Sequence, residues 1–201
     1  MTSEQVLSIF RACGALLEGH FLYASGRHGR QFLQAARVLQ YPDHTEALCR
    51  AMAARFADAG IELVVGPATG GIVLAYETAR HLKCRAAFTE KDDSGGMSLK
   101  RGFRLEPGAR VVVVEDIVTT GGSVTKTVRH LRERGASVLS VAVLIDRSKG
   151  EAAFDCRFEA LARLDMESWP ADACALCAQG TPLVDPDDLV YEGGAPAPRT
   201  V

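Results

Sequence analysis

The residues with the clearest chemical potential follow a run of valines, in the stretch VVVVEDIVTTGGSV that spans residues 111–124. Two adjacent carboxylates, Glu115 and Asp116, precede a turn of hydroxyl-bearing residues and glycines. The backbone N–H groups of such a turn, together with the start of a following helix, can bind a phosphate without a lysine. Adjacent carboxylates repel each other unless a cation or hydroxyl donors lie between them, so ribose hydroxyls or a Mg²⁺ ion would suit this pair.

This stretch predicts a site for a sugar phosphate. The two acids would bind the sugar hydroxyls, and the 5′-phosphate would bind to a turn made of Thr119, Thr120, Gly121, Gly122 and Ser123. The structural alternative is a solvated strand end followed by an ordinary tight turn, which an isolated Gly-Gly pair would favour. The fixed order of apolar strand, acids, turn and helix favours the ligand site, because a motif counts only in its structural context.

Composition limits the classes of protein that can carry such a site. The chain has 201 residues and is 47% hydrophobic, which predicts one main domain. The 23 basic residues are balanced by 25 acidic ones, so no bulk positive field indicates a nucleic-acid partner. Apolar residues near the N-terminus have helical spacing, and no apolar run reaches the ~20 residues of a membrane span. We therefore expect a soluble, cytoplasmic protein without a membrane partner.

Beyond residue 43, apolar periodicity and turn residues predict strands that alternate with helices. Asp43, followed three residues later by Glu46, is typical of a helix start with a capping side chain, and Gly60 would end this helix. Further along the chain we expect a strand at 61–67, a helix at about 71–82, a strand at CRAAF, a polar stretch at 89–102, the valine strand, a helix at about 123–134 and a strand at SVLSVAVLI. This order predicts an open, doubly wound α/β domain with a parallel sheet, in which ligands bind at the carboxyl ends of the strands.

The stretch VVVVEDIVTTGGS resembles the phosphoribosyl-pyrophosphate signature of the type I phosphoribosyltransferases, and residues 16–147 resemble the orotate phosphoribosyltransferases. The other segments that carry this resemblance are FLYASGRH, VVGPATGGIVLAYE, FTEKDDSGGMSLKRGF and VLIDRSKG. The signature is specific for the superfamily, whereas the choice of orotate depends on these flanking segments. The resemblance implies a single domain over residues 1–190, with a core at about 43–165 and a small N-terminal hood at about 1–40 that a C-terminal segment completes. Residues 191–201 have little to bury and are expected to form a flexible tail.

The resemblance assigns roles to individual positions. Glu115 and Asp116 would contact the ribose hydroxyls, with Asp116 also taking part in catalysis, and residues 119–123 would hold the 5′-phosphate. The departing pyrophosphate would bind to a loop with a cis peptide near its first residue, made of Ala68, Thr69 and Gly70. For this loop the alternative is a plain strand-to-helix turn.

Two further positions are implied to contact the base. Arg147 matches a residue that binds orotate, and its planar guanidinium suits a carboxylate. The alternative for Arg147 is a surface salt bridge with Asp146 or another neighbour. Phe32, beyond the hood segment SGRH, would stack on the pyrimidine ring or fill the core.

Residues 89–102 resemble a catalytic loop that closes over the substrates and reaches into the site of a neighbouring subunit, which implies a homodimer. Lys91 would neutralise the departing pyrophosphate, and Lys100 and Arg101 are further candidate cations; a solvated charged loop is the alternative. Better-known members carry lysines where Ala24 and Gly70 stand here, and their catalytic loop is longer, with an additional lysine and a histidine. The shorter loop indicates a subgroup of the family.

The function implied by the resemblance is transfer of the 5-phosphoribosyl group from phosphoribosyl pyrophosphate to orotate, which gives orotidine 5′-phosphate in pyrimidine (UMP) biosynthesis. Mg²⁺ would be the cofactor, held mainly by the substrate and by water and not by protein ligands. A phosphoribosyltransferase for a purine or another base is one alternative. A non-catalytic regulator that binds phosphoribosyl pyrophosphate is another, although the residues before Ala15 form only one helix and carry no basic recognition element.

A CxxC pair near the C-terminus, Cys174 and Cys177, raises the question of a zinc site. Cys156 would be a third ligand, but no histidine follows His130, so a fourth ligand is not evident along this part of the chain. We therefore expect these residues to be reduced cysteines that contribute to packing.

Overall fold

The computed structural model describes residues 1–23 and 25–186 of the chain. Ala24 and the tail predicted at 191–201 lie outside these residues. The helices are α1 (Ser3–Ala12), α2 (Ala36–Leu39), α3 (Pro42–Ala53), α4 (Gly70–Leu82), α5 (Gly122–Glu133) and α6 (Ala175–Ala178), with short 3-10 helices at Ala54–Phe56 and Ala171–Ala173. The strands are β1 (Leu16–Leu22), β2 (His28–Leu33), β3 (Leu63–Pro67), β4 (Arg85–Lys91), β5 (Met97–Leu99), β6 (Arg110–Val118), β7 (Ser137–Asp146), β8 (Arg157–Arg163) and β9 (Ser168–Trp169).

Six strands form the main sheet in the order β5-β4-β3-β6-β7-β8. All neighbours in this sheet are parallel except β4 and β5, which form an antiparallel hairpin at one edge. The predicted parallel sheet is thus confirmed. The polar stretch at 89–102 was predicted to be a loop, but it contains the end of β4 and all of β5.

Helices cover both faces of the main sheet, as expected for a doubly wound domain. Successive side chains of a strand point to opposite faces, so neighbouring valines of β6 enter different cores. Val112 and Val114 pack in the core that contains residues of α1, α3 and α4, whereas Val111 and Val113 pack in the core that contains the buried face of α5. Both cores converge on β6 and hold it at the centre of the sheet.

The capping side chain predicted for α3 is wrong. The N-cap is Tyr41, which makes no side-chain hydrogen bond, and Pro42 occupies the first turn, with Asp43 inside the helix. Proline suits this position because its fixed φ is already helical and its missing N–H would have had no partner. The helix ends in a 3-10 turn before Gly60, whose φ is 60°.

A second, three-stranded sheet of order β1-β2-β9 lies at the N-terminal side, in the segment predicted as the hood. The β1–β2 hairpin is antiparallel, with an irregularity between Glu18 and Phe21. The chain after β8 returns to this hairpin, because β9 pairs with β2 and Val184 forms a bridge with Phe21. Among the described residues, no helix has both the length and the apolar character needed to cross a membrane.

Candidate active site

The phosphate turn predicted from sequence lies between the end of β6 and the start of α5. Gly121 is the N-cap of α5 with φ 74°, and a Cβ at this position would lie 2.9 Å from the ring of Phe154. Both features require glycine. Thr119, Thr120, Gly122 and Ser123 are exposed. The first N–H groups of α5 have no partner within the helix, so the turn can offer several donors and the positive end of a helix dipole to an anion.

The acid pair lies just before this turn, and both side chains are half-buried. The N–H of Asp116 donates to Glu115 Oε1 at 3.1 Å, and the N–H of Ile117 donates to Asp116 Oδ1 at 2.6 Å. Burial, with the nearby charge of Asp116, raises the pKa of Glu115 to about 8. Burial also raises the pKa of Asp116. The two carboxyl groups therefore favour a ligand that brings hydroxyl donors or positive charge.

The glycine loop after β3 lies directly against this acid pair. The peptide bond between Ala68 and Thr69 is cis, as expected near Ala68, and the N–H of Ala68 donates to Thr89 O at 2.7 Å. α4 begins at Gly70, where a Cβ would collide with Asp116 Oδ2. Residues 68–70 and the acid pair, which are far apart in sequence, thus form one continuous surface at the carboxyl ends of β3 and β6.

A cleft of about 740 Å³ continues from the phosphate turn towards the β1–β2 hairpin. Its walls come from the hairpin, from the ends of β6 and β7 and from the C-terminal segment, and they include Leu22, Tyr23, Ser25, Gly26, Phe32, Thr119, Arg147, Asp185 and Pro186. The side chain of Phe32 is half-buried, and its ring centroid lies 5.8 Å from that of Phe21. Both residues expected to contact the base therefore line a cleft that adjoins the phosphate turn at Thr119.

Arg147 lines this cleft, and one nitrogen of its guanidinium is buried without a partner among the described residues. Its backbone N–H donates to Val118 O at 2.8 Å, which fixes the residue beside the end of β6. Its Nε is buried and has no hydrogen-bond partner among the described residues. Burial lowers the pKa of Arg147, an effect that Tyr23 opposes. A buried N–H donor without a partner is costly, and an anionic ligand in the cleft would accept its hydrogen bond.

The salt bridge considered as the alternative for Arg147 is not formed with Asp146. The carboxylate of Asp146 instead accepts hydrogen bonds from the backbone N–H and the hydroxyl of Ser148, at 2.8 and 2.6 Å. It also faces Arg163 at 3.5 Å. Arg147 therefore stays available to a ligand.

The candidate cations of the catalytic loop lie in the β4–β5 hairpin. Lys91 ends β4 and is exposed, and Lys100 Nζ donates to the carbonyl oxygen of Lys91 at 2.8 Å. Arg101 donates to both carboxylate oxygens of Glu90 at 2.7 and 2.8 Å. Lys100 and Arg101 thus contact their own hairpin, whereas Lys91 extends into solvent at the end of a strand of the main sheet.

The hairpin is held against α5 of the same chain. Lys126 Nζ donates to Gly95 O at 2.7 Å, and the N–H of Leu99 donates to His130 Nε2 at 3.0 Å. Within the turn, hydrogen bonds from Ser94, Ser98 and the Gly96 N–H hold the pKa of Asp92 well below its usual range. The hairpin is therefore in direct contact with the helix whose first residues form the anion site.

These features define the class of the protein. The model of the family described as the phosphoribosyl transferase domain matches residues 37–176. The chain therefore belongs to the phosphoribosyltransferase family.

Its relatives specify the branch of this family. The orotate phosphoribosyltransferase of Pelotomaculum thermopropionicum is 48% identical over 186 residues, which cover 92% of this chain and 97% of the relative. The orotate phosphoribosyltransferase of Thermus thermophilus is 46% identical over 178 residues, which cover 89% and 97%. The crystal structure of orotate phosphoribosyltransferase from Aeropyrum pernix superposes with a TM-score of 0.65 at 27% identity, over 79% of this chain and 93% of that one. Within the family the chain belongs to the orotate phosphoribosyltransferases.

Proposed function

We propose that the protein transfers the 5-phosphoribosyl group from phosphoribosyl pyrophosphate to orotate, giving orotidine 5′-phosphate and pyrophosphate for UMP synthesis. One observation carries the choice of base: Arg147 lines the cleft that adjoins the phosphate turn, and its buried Nε has no hydrogen-bond partner among the described residues. Orotate carries a carboxylate, and a guanidinium binds a carboxylate with two parallel hydrogen bonds. Phe32, in the same cleft, offers a ring face to the pyrimidine.

The donor would bind along the surface that joins the phosphate turn to the glycine loop. The 5′-phosphate would accept hydrogen bonds from the N–H groups of residues 119–123, and the ribose hydroxyls would donate to Glu115 and Asp116. The pyrophosphate group would then lie against residues 68–70, because Gly70 is in contact with Asp116. In this arrangement the C1 atom of the ribose faces the cleft that holds the base, so the two substrates are held in line for reaction.

The reaction moves charge from the sugar to the leaving group. The bond between C1 and the pyrophosphate oxygen breaks, its electron pair leaves with pyrophosphate, and N1 of the orotate anion forms the new bond with inversion at C1. Positive charge that develops on the sugar would be stabilised by the ionised carboxylate of Asp116. Lys91 would reach the departing pyrophosphate when the β4–β5 hairpin closes, and closure would also exclude water from the reactive sugar.

We propose Mg²⁺ as the cofactor. Glu115 and Asp116 fit a magnesium-bound donor, because buried carboxyl groups with raised pKa values gain from nearby positive charge and because Mg²⁺ prefers hard oxygen ligands. The ion would be held mainly by the pyrophosphate group and by water. When bound, it neutralises part of the charge that accumulates on pyrophosphate.

We also propose that residues 1–190 form a single domain and that two copies of it form a homodimer in which the hairpin of one subunit serves the site of the other. Val73 and Tyr76 of α4 support a dimer, since their side chains are 44% and 69% exposed although both are large and apolar. This helix begins at the pyrophosphate loop, so an interface there would bring the second subunit close to the site. Sedimentation equilibrium of the wild type and of Tyr76→Glu tests the interface, and a monomeric wild type would contradict it.

The six cysteines are all free, including the exposed Cys177, and this supports a reducing compartment such as the cytoplasm. The base specificity is tested by incubating the protein with phosphoribosyl pyrophosphate, Mg²⁺ and orotate, adenine or hypoxanthine in turn. We expect the absorbance of orotate to fall only when the donor and Mg²⁺ are both present. Turnover of a purine without turnover of orotate would refute the proposed base.

A further inference from the structure

Four side chains that commonly bind zinc converge beside the β1–β2 hairpin. His20 lies in β1 and His28 in β2, while Cys174 immediately precedes α6 and Cys177 lies within it. One ligand atom of each residue lies within 4.8 Å of the ligand atoms of the other three. These four residues are called the His-Cys cluster below, and it joins two segments separated by most of the chain.

The spacing of the ligand atoms matches a tetrahedral metal site. His20 Nε2 lies 3.2 Å from His28 Nδ1 and 3.4 Å from Cys174 Sγ. Cys177 Sγ lies 3.8 Å from His20 Nε2 and 3.2 Å from His28 Nδ1. Around Zn²⁺, with bonds of about 2.0–2.1 Å to nitrogen and about 2.3 Å to sulfur, the corners of a tetrahedron lie about 3.3–3.8 Å apart. The four separations above, from 3.2 to 3.8 Å, lie close to this range, and all six separations are within 4.8 Å.

The hydrogen bonds around His20 prepare one nitrogen to bind a metal. Its Nδ1 lies 2.8 Å from the carbonyl oxygen of Thr181. A carbonyl oxygen can only accept, so Nδ1 carries the proton and donates it. In the neutral ring Nε2 then has a free lone pair, and this is the atom that faces the other members of the cluster. Ligating histidines are commonly held in this way by a carbonyl group on the opposite nitrogen.

The chemistry of the four ligands selects zinc and a structural site. Two thiolates and two neutral imidazoles would give a neutral site with a divalent ion, which suits residues that are almost all buried: His20, His28 and Cys174 are 2%, 6% and 4% exposed. Sulfur and imidazole ligands suit Zn²⁺ and not Mg²⁺. Because the protein fills all four positions, no position is left for a substrate, as in structural zinc sites. Cys177 is exposed and provides a path for the ion.

We propose that the His-Cys cluster binds one Zn²⁺ ion and thereby fastens the β1–β2 hairpin to the C-terminal segment. Without the ion, among residues 1–23 and 25–186, only the short β9 strand and the single bridge at Val184 pair this part of the chain with the hairpin through backbone hydrogen bonds. Residues 22, 23, 25 and 26, between the two histidines, line the cleft proposed for the base. The zinc ion would therefore fix the wall of the cleft without contacting a substrate.

The proposal is tested by measuring the zinc content of untagged protein that has been purified without a metal column. We expect about one zinc per chain by mass spectrometry in the wild type and in the control Cys156→Ser, whose cysteine lies outside the cluster. Cys174→Ser and Cys177→Ser should each lose most of the zinc. Less than about a tenth of an equivalent in well-folded wild type, or equal loss in Cys156→Ser, would overturn the proposal.

A second measurement keeps the test decisive if the serine variants do not fold. Wild-type protein is stripped of metal, reduced and titrated with Co²⁺. Thiolate-to-cobalt charge-transfer bands together with the d–d bands of tetrahedral cobalt, saturating at one equivalent, would support the site. Their absence in the reduced, folded protein would contradict it. Neither readout depends on turnover of orotate, so failure of the proposed function would not affect the result.

Discussion

The raised pKa of Glu115 predicts that the affinity for the donor depends on pH through the ionisation of this carboxyl group. The pKa of about 8, compared with 4.5 for an ordinary glutamic acid, means that the free protein holds a proton on Glu115 at neutral pH. Ribose hydroxyls and a magnesium-bound pyrophosphate favour the ionised carboxylate, so donor binding must release this proton. Below pH 8, each fall of one pH unit should therefore raise the dissociation constant of the donor about tenfold, which corresponds to about 1.4 kcal/mol.

The variant Glu115→Gln separates this effect from the titration of the donor's own phosphates. Glutamine resembles the protonated carboxyl group, so the dissociation constants of variant and wild type should be similar near pH 6. As the pH rises, the dissociation constant of the variant divided by that of the wild type should increase about tenfold per pH unit and level off above about pH 8. Isothermal titration calorimetry in two buffers with different ionisation enthalpies measures both the constant and the proton release. A ratio that is constant from about pH 6.5 to 8.5, with no proton release by the wild type, would show that Glu115 does not lose a proton when the donor binds.

The same pKa shift predicts how the melting temperature of the ligand-free protein, measured by differential scanning calorimetry, depends on pH. The folded state retains a proton that the unfolded chain loses near pH 4.5, so the contribution of Glu115 to stability is full below this pH and is lost as pH rises to about 8. Glu115→Gln should therefore raise the melting temperature of the ligand-free protein at pH 8 and change it little at pH 5. Equal effects at both pH values would show that the carboxyl group is already ionised.

Three further variants test other parts of the site. Arg147→Lys keeps the charge but loses the planar fork, so it should raise KM for orotate at least tenfold and leave KM for the donor nearly unchanged in steady-state assays; an equal rise in both would contradict a base-specific role. Lys91→Ala should lower kcat more than it weakens donor binding, because the charge that Lys91 meets develops in the transition state, and a loss confined to KM would exclude this role. Gly121→Ala combines a positive φ with a contact to Phe154 and should raise KM for the donor. The control Gly108→Ala has φ 78° and no neighbour within 4 Å, so it should cost about 1–2 kcal/mol of stability through backbone strain alone and leave KM for the donor nearly unchanged. Similar KM values for both variants would refute the phosphate turn.

The parts of the fold that could be predicted from sequence depend on local patterns. The valine run predicted β6, and the turn residues predicted the start of α5, which the structure places at Gly122. The helix expected at about 71–82 is α4, at Gly70–Leu82. In each case the apolar periodicity and the glycines that determine where the helix or strand begins and ends lie within that element or next to it. The resemblance also implied that the acid pair and residues 68–70 bind parts of one donor, and parallel strands bring their carboxyl ends to the same edge of a sheet.

The features that escaped prediction depend on residues that are distant in sequence. The short strand β5 forms only because Met97–Leu99 pairs with the end of β4, and no local pattern distinguishes these three residues from a loop. The His-Cys cluster unites β1 and β2 with α6. Its two histidines lie far upstream of its two cysteines, so the sequence around the cysteines does not reveal them. The available signal was the spacing of His20 and His28, which face each other only after the hairpin pairs. Asp43 failed as a cap because the preceding proline already begins the helix.

The proposed activity requires that a sugar phosphate binds where β6 ends, with its phosphate on the turn and its hydroxyls on the acid pair. The most direct measurement is a crystal structure of the protein with phosphoribosyl pyrophosphate and Mg²⁺. We expect phosphate oxygens within hydrogen-bond distance of the N–H groups of residues 119–123 and both ribose hydroxyls on Glu115 and Asp116. A donor bound elsewhere, or an acid pair that stays turned into the protein while the donor is bound, would contradict it.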